Sequence, residues 1–176
     1  PCNTGVLRFP GPMVKLVLLH KADSIYEDVP DVVYDFPRPY LRAVEEAVGD
    51  YWVIYYEPVK AGARGYFAVA KIAEIVPKPG AEGRYLAQIE PGSFLPFDRE
   101  VPRLWSGRPL ERALSAPDGT PKQGGAQQSA VRRLPDDDFA RIVDIGLPQD
   151  LERIEATRYD PAGPALQEEA PAFERP

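Results

Sequence analysis

The stretch Tyr51-Trp52-Val53-Ile54-Tyr55-Tyr56 is an unbroken run of aromatic and β-branched residues. A run of this kind, with no polar residue to face solvent, is typical of a strand that is buried on both faces. Residues 66–76 follow it after a glycine-containing loop at 60–64, and they alternate apolar and polar side chains. We therefore expect a sheet that is built outward from residues 51–56, with residues 66–76 as a second strand.

Further strands are predicted on both sides of this centre. The β-rich run at 14–19 opens the domain, residues 85–89 form a strand after a Pro-Gly turn, and residues 129–134 form an edge strand. Residues 91–109 are expected to form a loop or an edge strand. The proline-punctuated stretch at 20–39 is predicted to be a long connection.

Two helices are predicted from their end signals. Pro39 suits the first turn of a short helix that ends at Gly49. Asp136-Asp137-Asp138 suits the start of a second helix that ends at Gly146, because carboxylates are favoured at a helix N-terminus. The predicted fold class is α+β, a small mixed β-sheet or β-barrel with two or three short helices.

Length and composition favour one domain. A chain of 176 residues with 44% apolar residues can bury one core. We assign it to residues 13–147, with a leader or the end of a preceding segment at 1–12. Residues 148–176 contain five prolines and are predicted to be a linker or tail. The single cysteine excludes an internal disulfide and suits a cytoplasmic protein. No apolar run is long enough for a membrane span, and no signal peptide is visible.

The chain has few of the residue types that commonly carry catalysis and many aromatic residues. The chain has one histidine and one cysteine, whereas nine aromatic side chains lie within residues 26–66. Zinc sites and catalytic triads need histidine or cysteine, while planar rings stack on nucleobases. We therefore expect a chain that binds a ligand without cleaving it, and we predict no metal and no cofactor.

The net charge of -6 is unevenly distributed. Residues 99–133 hold seven basic and three acidic residues, a net of +4. A local basic stretch of this kind binds phosphates, although a solvated loop is an equally good interpretation. The predicted phosphate-contacting residues are Arg103, Arg108, Lys122, Arg132 and Arg133.

Several residues are candidates for contact with a base. His20 follows the first strand, where it can hydrogen-bond a ligand or cap the strand. Neighbouring residues in a strand face opposite sides, so either Tyr55 or Tyr56 lines a site, and core packing is the better interpretation for Trp52. The acidic residues of the 20–39 connection are interpreted as a solvated face, from which one carboxylate can accept from a cytosine amino group.

A set of short motifs resembles the amino-terminal region of bacterial HNH endonucleases over residues 14–147. The motifs are residues 19–28 (LHKADSIYED), Tyr34-Asp35-Phe36-Pro37, Tyr40-Leu41, Val48-Gly49-Asp50, Tyr55-Tyr56-Glu57-Pro58, residues 65–70 (GYFAVA), residues 89–93 (IEPGS), Asp138-Phe139 and Ile145-Gly146-Leu147. The resemblance implies a PUA-like domain related to the EVE and SRA modules, which read modified bases. Tyr56-Glu57 stands where the EVE pattern has His-Ser.

The resemblance also implies partners and a role. Ser24 and Tyr26 lie in the connection where PUA-like folds place part of their pocket, which completes the predicted base-pocket set: His20, Ser24, Tyr26, Trp52, Tyr55 and Tyr56. The expected partners are double-stranded DNA with a modified base, probed by base flipping, and a covalently linked HNH nuclease beyond the tail. The alternatives are a stand-alone PUA-like reader of RNA or nucleotides, an enzyme with carboxylates in the 20–40 connection, and a protein-docking domain.

Overall fold

The strands at the centre of the sheet are the ones that the aromatic and β-branched runs predict. A computed structural model describes residues 15–21, 25–26, 28–49, 51–58 and 64–147. Within these ranges the strands are β1 (Lys15–Leu19), β2 (Val33–Pro37), β3 (Trp52–Tyr56), β4 (Tyr66–Pro77), β5 (Arg84–Ile89), β6 (Leu95–Val101), β7 (Leu104–Trp105), β8 (Arg108–Pro109) and β9 (Val131–Leu134). The predictions for residues 1–12 and 148–176 lie outside the described residues.

The helices are short and flank the sheet. They are α1 (Leu41–Glu45) and α2 (Asp136–Gly146), with 3₁₀ helices at Arg38–Tyr40, Arg112–Leu114 and Gly125–Gln128. Both predicted helices are confirmed. Gly49 follows α1 with a φ of 99°, which glycine adopts without strain, so the chain can turn there into β3.

Seven strands form one mixed sheet in the order β2-β5-β4-β3-β1-β9, with β6 also paired to β4. The β1–β3 pair is parallel and the other pairs are antiparallel. The Tyr34 hydroxyl of β2 lies 3.1 Å from the carbonyl oxygen of Leu19 and 2.7 Å from that of Ala130. The two ends of the strand order therefore approach each other, and the sheet is strongly curved. The mixed α+β class is confirmed.

The connection predicted at 20–39 is partly wrong, because it contains β2. Asp35 and Pro37 are unusual in strands, which hid this strand from the sequence pattern. Asp35 is tolerated because Lys78 donates to its carboxylate at 2.7 Å and Arg84 donates at 3.1 Å. The pattern at 91–109 resolves into β6 and a small β7–β8 hairpin.

The core has one cluster on each face of the sheet. Alternation along β3 sends Val53 and Tyr55 to one cluster, and Ile54 and Tyr56 to the other. The second cluster is covered by α2, which contributes the buried Ile142. No helix in the described ranges is long and apolar enough to cross a membrane.

Candidate functional site

Parallel pairing brings two strand ends together. Because β1 and β3 are parallel, His20 lies beside the end of β3. Its backbone N–H donates to the Tyr56 carbonyl oxygen at 2.8 Å. The strand β4 starts at this same end, where Tyr66 pairs with Tyr56. We call this end of the sheet the site end.

His20 is buried, with 8% of its surface exposed, and it lies beside a buried carboxylate. Its Nδ1 is 3.7 Å from Oδ2 of Asp28, whose side chain is 3% exposed. The other oxygen, Oδ1 of Asp28, accepts from the Asp35 N–H at 2.8 Å. The separation between His20 and Asp28 is too long for a hydrogen bond. Nδ1 of His20 therefore has no hydrogen-bond partner in the described part of the chain.

Tyr55 carries a second buried polar atom without a partner. Its hydroxyl makes no hydrogen bond to the described residues. Its ring stacks on Phe67 at 5.7 Å between centroids and meets Tyr34 edge-on at 6.2 Å. Burial, followed by the nearby charge of Asp28, raises the pKa of the Tyr55 hydroxyl. An unpaired buried polar group costs about 1–3 kcal/mol, so such groups are rare in folded proteins.

These groups form one cluster around Phe67. The Phe67 ring contacts Tyr55 on one side and meets the His20 imidazole edge-on at 6.0 Å. We call the set His20, Asp28, Tyr34, Tyr55 and Phe67 the aromatic site. It combines apolar rings, one buried carboxylate and two polar atoms that no described residue satisfies, which together suit a flat ligand with a polar edge.

Arg64 lies at the solvent edge of the aromatic site. Its guanidinium is 4.7 Å from the Phe67 ring centroid, and its side chain is 48% exposed. Arg64 Nη1 donates to Oε2 of Glu57 at 2.6 Å, and Nε donates to Oε1 of Glu100 at 3.1 Å. The two carboxylates hold a positive charge over the cluster while leaving half of the side chain in solvent.

The other predicted base-pocket residues lie elsewhere. Tyr56 and Trp52 belong to the opposite face of the sheet, where Tyr56 packs 5.0 Å from the Tyr66 ring. Tyr26 is partly buried, and the Arg84 guanidinium lies 4.5 Å from the centroid of the Tyr26 ring. Ser24 lies outside the described residues. Of the predicted set, the structure brings together His20 and Tyr55.

Arg132, predicted to contact phosphate, is 9% exposed and makes internal hydrogen bonds. Its Nε and Nη2 donate to the Glu111 carboxylate at 2.8 and 2.7 Å. Its Nη1 donates to the carbonyl groups of Gln127 and Ser129 at 3.0 and 3.2 Å. A guanidinium has five N–H donors, and four of them are used inside the protein. This placement favours a structural role, and we remove Arg132 from the phosphate set.

The four other predicted cations are more accessible. Arg108, Lys122 and Arg133 are exposed, while Arg103 is partly buried and donates to Oε1 of Gln127 at 2.7 Å. Lys122 donates to the Ala113 carbonyl at 2.9 Å. Arg133 lies in β9 and is hydrogen-bonded to Glu46, which follows α1. Arg103 and Arg108 are therefore close along the β7–β8 hairpin, and Arg133 is separate from them.

Three members of the aromatic site are absent from the predicted set: Phe67, Tyr34 and Asp28. Phe67 received no role, although the strand pairing of residues 51–56 with 66–76 places it beside Tyr55, and Tyr34 lies in the unpredicted strand β2. Asp28 was predicted to lie on a solvated face, and this is wrong because its side chain is buried. No local signal marks it, since its partner Asp35 belongs to the unpredicted strand β2. The described residues contain no group of three side chains that could hold a metal ion.

No protein-family model, curated protein or solved structure matches the chain. The resemblance to HNH endonucleases therefore stays a prediction from the motifs.

Proposed function

We propose that this chain is a DNA-binding module that recognises a modified nucleobase, a modified cytosine, by taking it out of the duplex into the aromatic site. The observation that carries the proposal is the pair of buried atoms, His20 Nδ1 and Tyr55 Oη, that have no hydrogen-bond partner among the described residues and whose rings both neighbour Phe67. The PUA-like resemblance supports the same assignment.

The chemistry of a flipped base complements these groups. A base edge carries hydrogen-bond donors and acceptors that can satisfy His20 and Tyr55. The carboxylate of Asp28 can accept from the amino group of a cytosine. Stacking on an aromatic ring contributes about 1–3 kcal/mol per base, which offsets much of the few kcal/mol that extrusion costs.

Cations at the site end supply the sequence-independent part of binding. Arg64 is half-exposed over the aromatic site, and Arg103 and Arg108 belong to the β7–β8 hairpin, which follows β6 at the same end of the sheet. The chain has a net charge of -6, so DNA binding depends on this local basic surface. Such binding weakens steeply as salt is raised, because each neutralised phosphate releases counterions.

The module's role follows from the resemblance. We propose that it targets an HNH nuclease of the same polypeptide to modified DNA in the cytoplasm. The chain has one histidine, whereas an HNH centre needs several to bind metal and act as a base. We therefore expect this chain alone to cleave neither modified nor unmodified DNA in magnesium or manganese.

The test is fluorescence anisotropy with short duplexes that carry one unmodified, methylated, hydroxymethylated or glucosylated cytosine. We expect tighter binding to one modified duplex, with the preference reduced in Tyr55→Phe. Tyr66→Phe is the matched control, because it removes a buried hydroxyl that donates to Glu111 on the opposite face. Equal binding of all duplexes would contradict the proposal, and tighter binding of RNA would favour the RNA-reader alternative.

A further inference from the structure

The β7–β8 hairpin presents a large aromatic side chain at its tip. Trp105 pairs with Arg108 across the hairpin, and the two-residue turn between them is Ser106-Gly107. Both turn residues have positive φ angles, 51° and 76°, as tight hairpin turns of this length require. The turn therefore fixes Trp105 and Arg108 beside each other at the end of a short projection.

Trp105 is unusually accessible for a tryptophan. It is 42% exposed, and it belongs to neither of the two core clusters. Tryptophan has a large apolar surface, so a ring that is 42% exposed leaves much of that surface in contact with solvent. An exposed aromatic anchor that does not serve the core is typical of a contact surface.

The hairpin and the segment that follows it carry three cations. Arg103 begins the hairpin, Arg108 is exposed beside Gly119, and Lys122 lies in the loop that follows. None of these three cations forms a salt bridge within the described part of the chain. An exposed aromatic ring on a hairpin whose cations form no salt bridge among the described residues suits a nucleic acid, in which bases stack and phosphates carry the charge.

The hairpin begins at the site end of the sheet. It follows β6, whose last residue Val101 pairs with Tyr66 at the start of β4. The two segments are so close that a Cβ on Gly65 would stand 2.2 Å from the Val101 carbonyl oxygen. The aromatic site and the hairpin therefore lie at the same end of the sheet but on opposite faces, because Leu110 of the hairpin packs in the second core cluster and Tyr55 in the first.

We propose that the hairpin, residues 103–110, is a DNA-contacting finger in which Trp105 stacks on a base of the duplex and Arg103 and Arg108 contact phosphates. Apolar and aromatic side chains often enter DNA at a step that has been unstacked. Extrusion of a base leaves such a gap. The inference rests on the proposed DNA binding, but it does not depend on a preference for modified bases.

The test compares Trp105→Ala with wild type by anisotropy on modified and unmodified duplexes. We expect roughly 5- to 150-fold weaker binding, the factor that corresponds to loss of one stacked base. Leu95→Ala is the matched control, since Leu95 is also apolar and 41% exposed but lies in β6. Circular dichroism and the thermal midpoint check that each variant is folded.

A second readout follows the Trp105 ring directly. The chain has two tryptophans, so Trp105 is the sole tryptophan in the Trp52→Phe variant. We expect its fluorescence to be quenched when duplex is added, because the indole stacks on a base. Unchanged fluorescence in a variant that still binds DNA would overturn the inference.

The outcomes separate the two proposals. If wild type prefers a modified duplex and Trp105→Ala binds that duplex as tightly as wild type does, the hairpin does not contact DNA as proposed, and recognition of a modified base is supported. If wild type binds all duplexes with equal affinity and Trp105→Ala weakens binding to each of them, DNA contact by the hairpin is supported and recognition of a modified base is contradicted. If wild type binds no duplex, both are wrong.

Discussion

The guanidinium of Arg132 donates two hydrogen bonds to the carboxylate of Glu111 inside the protein, at 2.8 and 2.7 Å. Glu111 is 1% exposed and also accepts from the Tyr66 hydroxyl at 2.7 Å. This pair ties β9 to the segment after the β7–β8 hairpin and to the start of β4. Arg132 therefore stabilises the fold, whereas Arg108, Lys122 and Arg133 of the same basic stretch are exposed to solvent.

Glu111→Gln is expected to lower the free energy of unfolding by about 3–5 kcal/mol, because it leaves the Arg132 charge buried without its partner. Urea denaturation measures the loss. Glu100→Gln is the matched control: it removes one contact to the half-exposed Arg64, and exposed pairs contribute about 0–1 kcal/mol. Equal, small losses in both variants would show that the buried pair is not structural.

Tyr55→Phe is expected to leave the free energy of unfolding unchanged or to raise it by about 1 kcal/mol, because the lost hydroxyl is buried and makes no hydrogen bond to the residues that the structure describes. Tyr34→Phe is the matched comparison. Its hydroxyl donates to the Ala130 carbonyl, so its removal should cost about 1 kcal/mol. The same urea experiment measures both, and a clear loss in Tyr55→Phe would mean that its hydroxyl has a partner in solution.

Alkaline pH should unfold the protein through its buried tyrosines. Burial raises the pKa of Tyr34, Tyr55 and Tyr66 above the ordinary value of tyrosine. The negative charge of Asp28 raises the pKa of Tyr34 and Tyr55 further, and the negative charge of Glu111 does the same for Tyr66. Since the folded-state pKa is the higher one, stability is fully present below about pH 10 and falls above it. The slope well above pH 10 is about 1.4 kcal/mol per pH unit for each tyrosine.

Urea denaturation at a series of alkaline pH values measures this slope, and tyrosinate absorbance reports which rings have titrated. We expect the three buried tyrosines to ionise only as the chain unfolds. If all nine tyrosines ionise together in the folded protein, the burial of these three is contradicted.

Gly65→Ala should destabilise the site end by about 1–3 kcal/mol, the usual cost of overpacking, because the added Cβ would meet the Val101 carbonyl oxygen at 2.2 Å. Gly125→Ala is the control, since no atom of a described residue other than Gly125 itself and its two chain neighbours lies within 4 Å of its Cβ position. Thermal midpoints compare the two variants. A midpoint for Gly65→Ala as high as for Gly125→Ala would contradict the close approach of β4 and β6.

The strands of the core were predictable because their signal is local. The apolar runs of β1 and β3 and the alternation in β4 each lie within a few residues. The strand β2 was not predictable in this way. Asp35 opposes strand formation locally, and it is accommodated by Lys78 and Arg84, which come from distant parts of the sequence.

The candidate site was predictable in part for the same reason. His20 and Tyr55 were identified because each lies at the end of a predicted strand. Asp28 and Arg132 were misjudged because a charged residue is usually exposed, and the partners that make their burial possible are fixed by tertiary structure. The face that Tyr55 occupies follows from alternation, but the sequence could not say which face holds the site.

The most direct test of base reading uses the single histidine of the chain. The imidazole proton resonances of His20 can be assigned without ambiguity, and they report on the group whose Nδ1 has no hydrogen-bond partner in the described ranges of the chain. We predict that they shift on addition of a duplex with the modified base and stay in place with the unmodified duplex. Identical spectra with the two duplexes at saturation would contradict the claim that a modified base enters the aromatic site.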